Sequence, residues 1–331
     1  MIEIRSLVKK YGETFAINGI DLTLADKGVH AVLGPKGSGK SALLDVISGY
    51  VPATEGEVLI GGECLCDRPI ELKKRVAYLP QELVLYEEMT PFEYLLFIGE
   101  AKRVSGDKLY KRVKSVLDLT RISEIADTAI KSLTPAEKKL LGVAQCMLGN
   151  PDIIVLDSPM ASLGEESRVQ LSALIKRLGE LKCVIVSTDT LSDVYDICDD
   201  MAIISNGELV VFDSMKNLED KLIKTKAILL SVRGPEDTVL AAIKDVPGIS
   251  ACIVNSASGG VISMKLEYDA KAEIRGSLFA ALAKLSCPIL SMAERTLTLS
   301  DVYTQLVATE PKHEAPTKSD KKRSGRGGRR Q

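Results

Sequence analysis

The sequence predicts an α/β fold, with strands and helices alternating around a phosphate-binding loop, followed by a smaller α+β unit. Three observations carry this. First, Gly34-Pro35-Lys36-Gly37-Ser38-Gly39-Lys40-Ser41 fits G-x-x-x-x-G-K-[ST] at every fixed position. It lies between an apolar run at residues 29–33 and an amphipathic stretch at 41–50. Second, Ile153-Ile154-Val155-Leu156-Asp157 is an apolar strand ending in an acid, the pattern of a strand buried on both faces. Third, residues 226–309 read as β-α-β-β-α-β, the succession of a ferredoxin-like unit. The glycines of the loop let backbone N–H groups converge on phosphate oxygens. Lys40 adds a positive charge there, and the Ser41 hydroxyl is suited to ligate Mg²⁺. The stretch therefore points to nucleotide binding.

Composition sets the outer limits. The 331 residues suffice for about two domains with cores of their own. With 45% hydrophobic and 27% charged residues, the chain has a globular balance rather than a fibrous or disordered one. No apolar run approaches the ~18 residues of a membrane helix, and the N-terminus lacks a signal-peptide pattern. Seven cysteines without framework spacing predict free thiols in a reducing compartment. Cys64-x-Cys66 reads as a turn carrying two thiols, because no second Cys or His pair stands near it. From Lys312 onward, eight Lys/Arg face only Glu314 and Asp320, so a tail of +6 follows a body of −8.

Taken in order, residues 2–5 and 17–24 alternate apolar and polar, as half-buried strands do. Tyr11 lies at the turn between them and is open to two readings, a surface aromatic or a platform for an adenine ring. After the loop and its helix come a turn at 52–56, a strand at 57–60 and a strand at 76–79 ending in Pro80-Gln81. Gln81 offers an amide to a metal or an attacking water. Residues 90–149 have helical spacing, with Ser123 and Thr134 as caps. Beyond Asp157, suited to the Mg²⁺ shell, a helix is expected at 165–181 and strands at 183–187 and 201–204, with a turn at Ser205-Asn206-Gly207. In the last unit, strands are expected at 227–232, 249–254, 261–266 and 289–293, with helices at 235–244, 270–285 and 300–308. The tail 311–331 has almost no apolar residue and is expected to be disordered.

These residues resemble the ATP-binding subunit of ATP-binding cassette (ABC) transporters over about residues 1–220. The resemblance rests on the phosphate loop (Walker A), Gln81 (the Q-loop), the strand ending at Asp157 (Walker B) and Tyr11 at the adenine-stacking position. Residues 85–95 and Leu299-Ser300-Asp301-Val302-Tyr303 are similar to segments of the ABC-2 type exporters of drugs and polysaccharides. The resemblance implies a P-loop NTPase cassette with a RecA-like core, an antiparallel β subdomain and a helical subdomain at about 83–150. A small ferredoxin-like domain at 226–309 and a disordered basic tail at 310–331 would follow. It also implies ATP and Mg²⁺ as cofactors. Gly34, Pro35, Lys36, Gly37, Ser38, Gly39, Lys40, Ser41, Ala42, Tyr11, Gln81 and Asp157 would bind nucleotide, and Ser41, Gln81 and Asp157 the metal. Partners would be a separate transmembrane subunit and a second cassette, identical or different. The location implied is the cytoplasmic face of a membrane, and the basic tail would contact anionic lipid or RNA without specificity.

Several positions depart from the family pattern. The signature that meets ATP across the dimer aligns with Leu133, Thr134, Pro135, Ala136 and Glu137, without its glycines and with an added acid. The general base after Walker B is Ser158, the switch histidine is Asp189, and the D-loop acid aligns with Gly164. A hydroxyl without a base does not take a proton from water near neutral pH, and an aspartate opposes developing phosphate charge. The expectation is retained MgATP binding with impaired hydrolysis. Two alternatives stay open: slow hydrolysis using Glu165 or Glu166, and a non-transport ABC protein acting on RNA or DNA or in regulation.

Overall fold

The computed structural model describes residues 1–104, 106–223, 225–244, 246–269 and 272–296. The expected closing motif at 299–303, the helix at 300–308 and the basic tail lie outside the described residues.

The chain opens with β1 (Ile2–Tyr11) and β2 (Thr14–Leu24), an antiparallel pair longer than the alternation alone indicated. β3 (Gly28–Leu33) runs into the phosphate loop and α1 (Lys40–Ile47). The loop helix ends at Ile47, short of residue 50, because the chain turns at Gly49, whose φ is 70°. β4 (Glu55–Ile60), β5 (Glu63–Cys64), the short α2 (Pro69–Lys73) and β6 (Val76–Leu79) follow. The helical stretch resolves into α3 (Pro91–Ala101), α4 (Gly106–Thr120) and α5 (Pro135–Met147), with 3-10 turns between α4 and α5. Then come β7 (Ile153–Asp157), α6 (Glu165–Gly179), β8 (Cys183–Thr188), β9 (Asp200–Ser205), β10 (Glu208–Ser214) and α7 (Met215–Ile223).

The central sheet has the order β10-β9-β3-β8-β7-β6, parallel except at β10. A four-stranded sheet, β2-β1-β4-β5, stands beside it. Every residue of β7 and β8 is buried, so alternate side chains must enter two different cores. Ile154, Leu156, Val184 and Val186 join the core under α3 to α6, with Leu95, Leu141 and Ile175. Ile153, Val155 and Ile185 join the other, with Leu43, Leu44 and Ile47 of α1 and Ile2, Ile4 and Ile20 of the antiparallel sheet. Fully apolar strands sandwiched between two layers put their polar ends, and hence the site, at their carboxyl termini.

One polar group inside this sheet is compensated. His30 on β3 is 1% exposed; its Nδ1 meets Asp200 Oδ2 at 2.8 Å and its Nε2 meets the Ala25 carbonyl at 3.2 Å. Burial alone would lower the imidazole's pKa. The Asp200 carboxylate, together with the neighbouring Cys183 side chain, more than offsets this and raises it to about 10. With a carbonyl on one nitrogen and a carboxylate on the other, both nitrogens donate, and the ring is an imidazolium.

The remaining elements are β11 (Thr225–Arg233), α8 (Glu236–Lys244), β12 (Ile249–Ser258), β13 (Val261–Asp269), α9 (Arg275–Lys284) and β14 (Ile289–Thr296). Their sheet order, β12-β13-β11-β14 with antiparallel neighbours, is the ferredoxin-like arrangement. Ile228, Leu230, Met264 and Leu266 on one face bury Val239 and Ile243 of α8 and Leu278 and Leu282 of α9.

Four expectations are corrected. α9 begins at Arg275 rather than at 270, and α6 ends at Gly179 rather than at 181. Ser123 does not cap a helix; its hydroxyl donates to Asp118 Oδ1 at 2.5 Å, and it is the first residue of a 3-10 turn. Cys64 and Cys66 are joined as a disulfide, with Cα atoms 5.3 Å apart, whereas the sequence predicted free thiols. Cys146, Cys183, Cys198, Cys252 and Cys287 are free. Among the described residues no helix is long and apolar enough to cross a membrane.

Candidate nucleotide site

The phosphate loop hangs from the carboxyl end of β3, and its conformation needs its glycines. Gly39 has φ 100°, and a Cβ there would strike the Ala16 carbonyl. A Cβ at Gly34 would strike the Ile204 carbonyl and the Ser38 hydroxyl. Lys40 is only 8% exposed, and its Nζ donates to the Gly34 and Pro35 carbonyls at 2.8 Å each. Burial lowers the Lys40 pKa, and the charges of Asp189 and Asp157 push it back up. Both acids are therefore near enough for their charges to act on the lysine. Ser38 is 3% exposed, and its Oγ has no hydrogen-bond partner among the described residues. An orphaned buried hydroxyl in a glycine cradle beside a buried lysine fits an anionic ligand with acceptor oxygens. Ser41 is exposed at the mouth of the loop, and Ala42 is buried beneath it.

Asp157, at the end of β7, is 3% exposed. Its Oδ1 accepts from Ser187 Oγ at 2.5 Å and from Ser158 Oγ at 3.4 Å, which leaves Oδ2 without a hydrogen bond among the described residues. That donor set, with Ser41 and the exposed Gln81, fits a hard cation taking oxygen ligands. Ser158 has φ 47°, and its N–H is held by Ser187 Oγ at 2.9 Å. Its hydroxyl faces Asp157 rather than a free base. Asp189 is exposed at the end of β8 and accepts from Thr190 Oγ1 at 3.2 Å. Tyr11 ends β1 and is 51% exposed, and the Lys9 ammonium lies 5.1 Å from its ring centroid. Burial and the Asp45 charge raise the Tyr11 phenol pKa.

Leu133, Thr134, Pro135, Ala136 and Glu137 sit at the start of α5 and make no hydrogen bond to residues 34–41 among the described residues. Thr134 is the N-cap, accepting from the Glu137 N–H at 3.3 Å. Glu137 Oε2 accepts in return from Thr134 N at 2.7 Å and from Thr134 Oγ1 at 2.8 Å. This capping box occupies the positive end of the helix with its own carboxylate. Pro135 has no N–H, and that of Glu137 is satisfied, so among the described residues Ala136 supplies the one free donor of the first three helical residues. Gly164 is the N-cap of α6 without a side-chain cap, and Glu165 and Glu166 fill that helix's first turn.

Four side chains at the site escaped sequence reasoning. Ser187 is the register partner of Asp157 across β7 and β8, a relation visible only once the strand order is known. Lys139 on α5 donates to the Gln81 carbonyl at 2.6 Å, tying the signature helix to the Q-loop. Burial lowers the Lys139 pKa, and Asp157 opposes that. Asp193 accepts from Thr188 Oγ1 at 2.9 Å and pairs with Arg168 at 3.4 Å; Arg168 also donates to the Leu163 carbonyl at 3.0 Å. This braces the segment after Asp189 against α6.

Strand, glycine loop, buried lysine and Walker B acid together define a P-loop nucleotide-binding cassette. Residues 17–161 match the ABC transporter family, and this part of the chain is an ABC transporter ATP-binding domain. The chain is 26% identical to the linearmycin resistance ATP-binding protein LnrL of Bacillus subtilis, over 77% of this chain and 82% of the relative. It is also 26% identical to the uncharacterized ABC transporter ATP-binding protein YxlF of the same organism, over 93% of this chain and 99% of the relative. Among solved structures, the post-hydrolysis dimer of the cassette MJ0796 bound to ADP and Pi superposes with a TM-score of 0.59 at 23% identity, covering 65% of this chain and 99% of that one. That likeness establishes the fold.

Proposed function

We propose that the chain is the ATP-binding subunit of an ABC-2 type membrane exporter. In this reading it binds MgATP at a head-to-tail dimer interface on the cytoplasmic face, couples it to a separate transmembrane subunit, and hydrolyses it poorly. One observation carries the reading. The loop keeps everything needed to hold phosphate, including the unpartnered Ser38 hydroxyl, while the positions for proton removal and for the partner's phosphate are altered. Lys40, Ser38 and the loop N–H groups would hold the phosphates. Ser41, Gln81 and Asp157 would hold the cation, and Tyr11 would stack on the base. Magnesium would neutralise phosphate charge; Ser158 and Asp189 offer no acceptor and donor pair equivalent to a glutamate and a histidine. The exporter assignment leans on the relative named for linearmycin resistance, which the chain matches over 82% of its length. A transmembrane partner is supported by exposed apolar side chains just past Gln81. Val84 is 89% exposed, and Tyr86 and Phe97, ring centroids 5.4 Å apart, also face solvent. Calorimetry of MgATP binding tests the reading. Lys40→Ala should cost at least ~1.5 kcal/mol, the scale of a charge-assisted hydrogen bond. Equal affinity in wild type and variant contradicts it.

A further inference from the structure

The Cys64–Cys66 pair lies outside the nucleotide site, and its setting differs from that of a structural disulfide. It encloses one residue, Leu65, so closing it removes little chain entropy, and its oxidation state is left to the thiols in solution. The two sulfurs are unequal. Cys64, on edge strand β5, is 9% exposed, and its Sγ accepts the Cys66 N–H at 3.3 Å, which favours it as a leaving thiolate. Cys66 is exposed, with Asp67 Oδ1 3.5 Å from its Sγ. Cys66 Sγ, open to solvent where Cys64 is buried, is therefore the sulfur an external disulfide can reach. The pair opens onto a groove of about 400 Å³ between the end of α1, β4 and α2. Of its two charged lining residues, Glu57 is paired with Arg5, and Lys73 has no ion pair among the described residues. Leu65, held between the cysteines, is buried and would contact a Cβ at Gly49 just past α1, so the pair abuts the phosphate-loop helix.

We propose that Cys64-x-Cys66 is a thiol–disulfide exchange site whose co-substrate is a small anionic disulfide of the glutathione class. The Cys66 thiolate attacks the external disulfide, forming a mixed disulfide and releasing one external thiolate. The Cys64 thiolate then attacks Cys66 Sγ, closing the protein disulfide and releasing the second. Two protein thiols are oxidised and one external disulfide is reduced. The two protons lost by the protein end on the two released thiols, and the reverse sequence reopens the pair.

The test uses the full chain with Cys252→Ser, which removes the other exposed free thiol. Peptide mapping by mass spectrometry should find the 64–66 pair wholly reduced in reduced glutathione and wholly closed in oxidised glutathione, reversibly. With Cys64→Ser, a single glutathione should remain trapped on Cys66; with Cys66→Ser, Cys64 should stay unmodified. Closure should be faster with glutathione disulfide than with the cationic cystamine, and Lys73→Gln should remove that preference. A pair that stays closed in excess reduced glutathione, or stays open in oxidised glutathione, overturns the proposal. So does an adduct on Cys64 in preference to Cys66. The same mapping on the wild-type chain, where the 64–66 peptide is read separately from Cys252, needs no variant to fold and decides reversibility by itself.

Discussion

Replacing Glu137 by Gln should strengthen ATP-driven dimerisation, an outcome opposite to what removing a helix cap ordinarily does. The carboxylate holds both Thr134 donors at 2.7 and 2.8 Å. A phosphate oxygen reaching the same helix end would lie about 4–5 Å from it, since each acceptor sits ~2.8 Å from a donor they share. At that separation two unit charges repel by roughly 1–4 kcal/mol for effective dielectric constants of 80 to 20. Glu137 is half-buried, so the lower half of that range applies, about 1–2 kcal/mol per interface. A symmetric dimer has two such interfaces, which amounts to roughly 30- to 1,000-fold in the dissociation constant at about 1.4 kcal/mol per tenfold. Glutamine keeps an acceptor for the Thr134 N–H, so the cap loses only about 0.3–1 kcal/mol of charge–dipole energy. The assay is sedimentation of the purified chain with and without MgATP. Unchanged or weaker ATP-dependent dimerisation in a variant that melts cooperatively would refute the idea that this carboxylate blocks the helix end.

Three further outcomes are expected. His30, with its pKa raised to about 10 from an unfolded value of 6.5, contributes stability fully below pH 6.5 and loses it as pH rises toward 10. The wild-type melting temperature should therefore fall between pH 7 and 10 more steeply than that of His30→Gln, and parallel curves would contradict the buried imidazolium. Gly39→Ala should lose nucleotide binding measured by fluorescence titration while keeping its fold, because the Cβ meets the Ala16 carbonyl at φ 100°; retained affinity would show that the loop tolerates another path. Ser158→Glu with Asp189→His should raise phosphate release by more than the product of the single-variant effects, since base and switch act together; multiplicative effects would separate the two positions.

What was legible in the sequence follows from how local each constraint is. The phosphate loop is written at fixed spacing because its backbone must curl within eight residues. β7 and β8 declare themselves because burial on both faces demands unbroken apolar runs. Thr134 was readable as a cap from its spacing to Glu137, and the box is present. β10 was missed although the signal was there: Asn206 and Gly207, both at positive φ, make the two-residue turn that sends a strand back along β9. α2 and α7 are short and polar, and neighbouring elements fix them more than their own periodicity does. Ser187, Lys139 and the Arg168–Asp193 brace depend on which strand or helix lies alongside, which no spacing rule encodes. Cys64 and Cys66 looked like incidental thiols because two residues apart is too close for a framework disulfide.

Impaired hydrolysis at an occupied site is tested by phosphate release from the purified chain under conditions where calorimetry shows its nucleotide site saturated, with Lys40→Ala as the blank. A general base contributes about 10²–10⁴-fold, so full occupancy is expected with turnover at least ~10²-fold below that of a cassette carrying a glutamate after Walker B. Turnover at the rate of such a cassette, abolished by Lys40→Ala and unaffected by substituting Glu165 and Glu166, would contradict it.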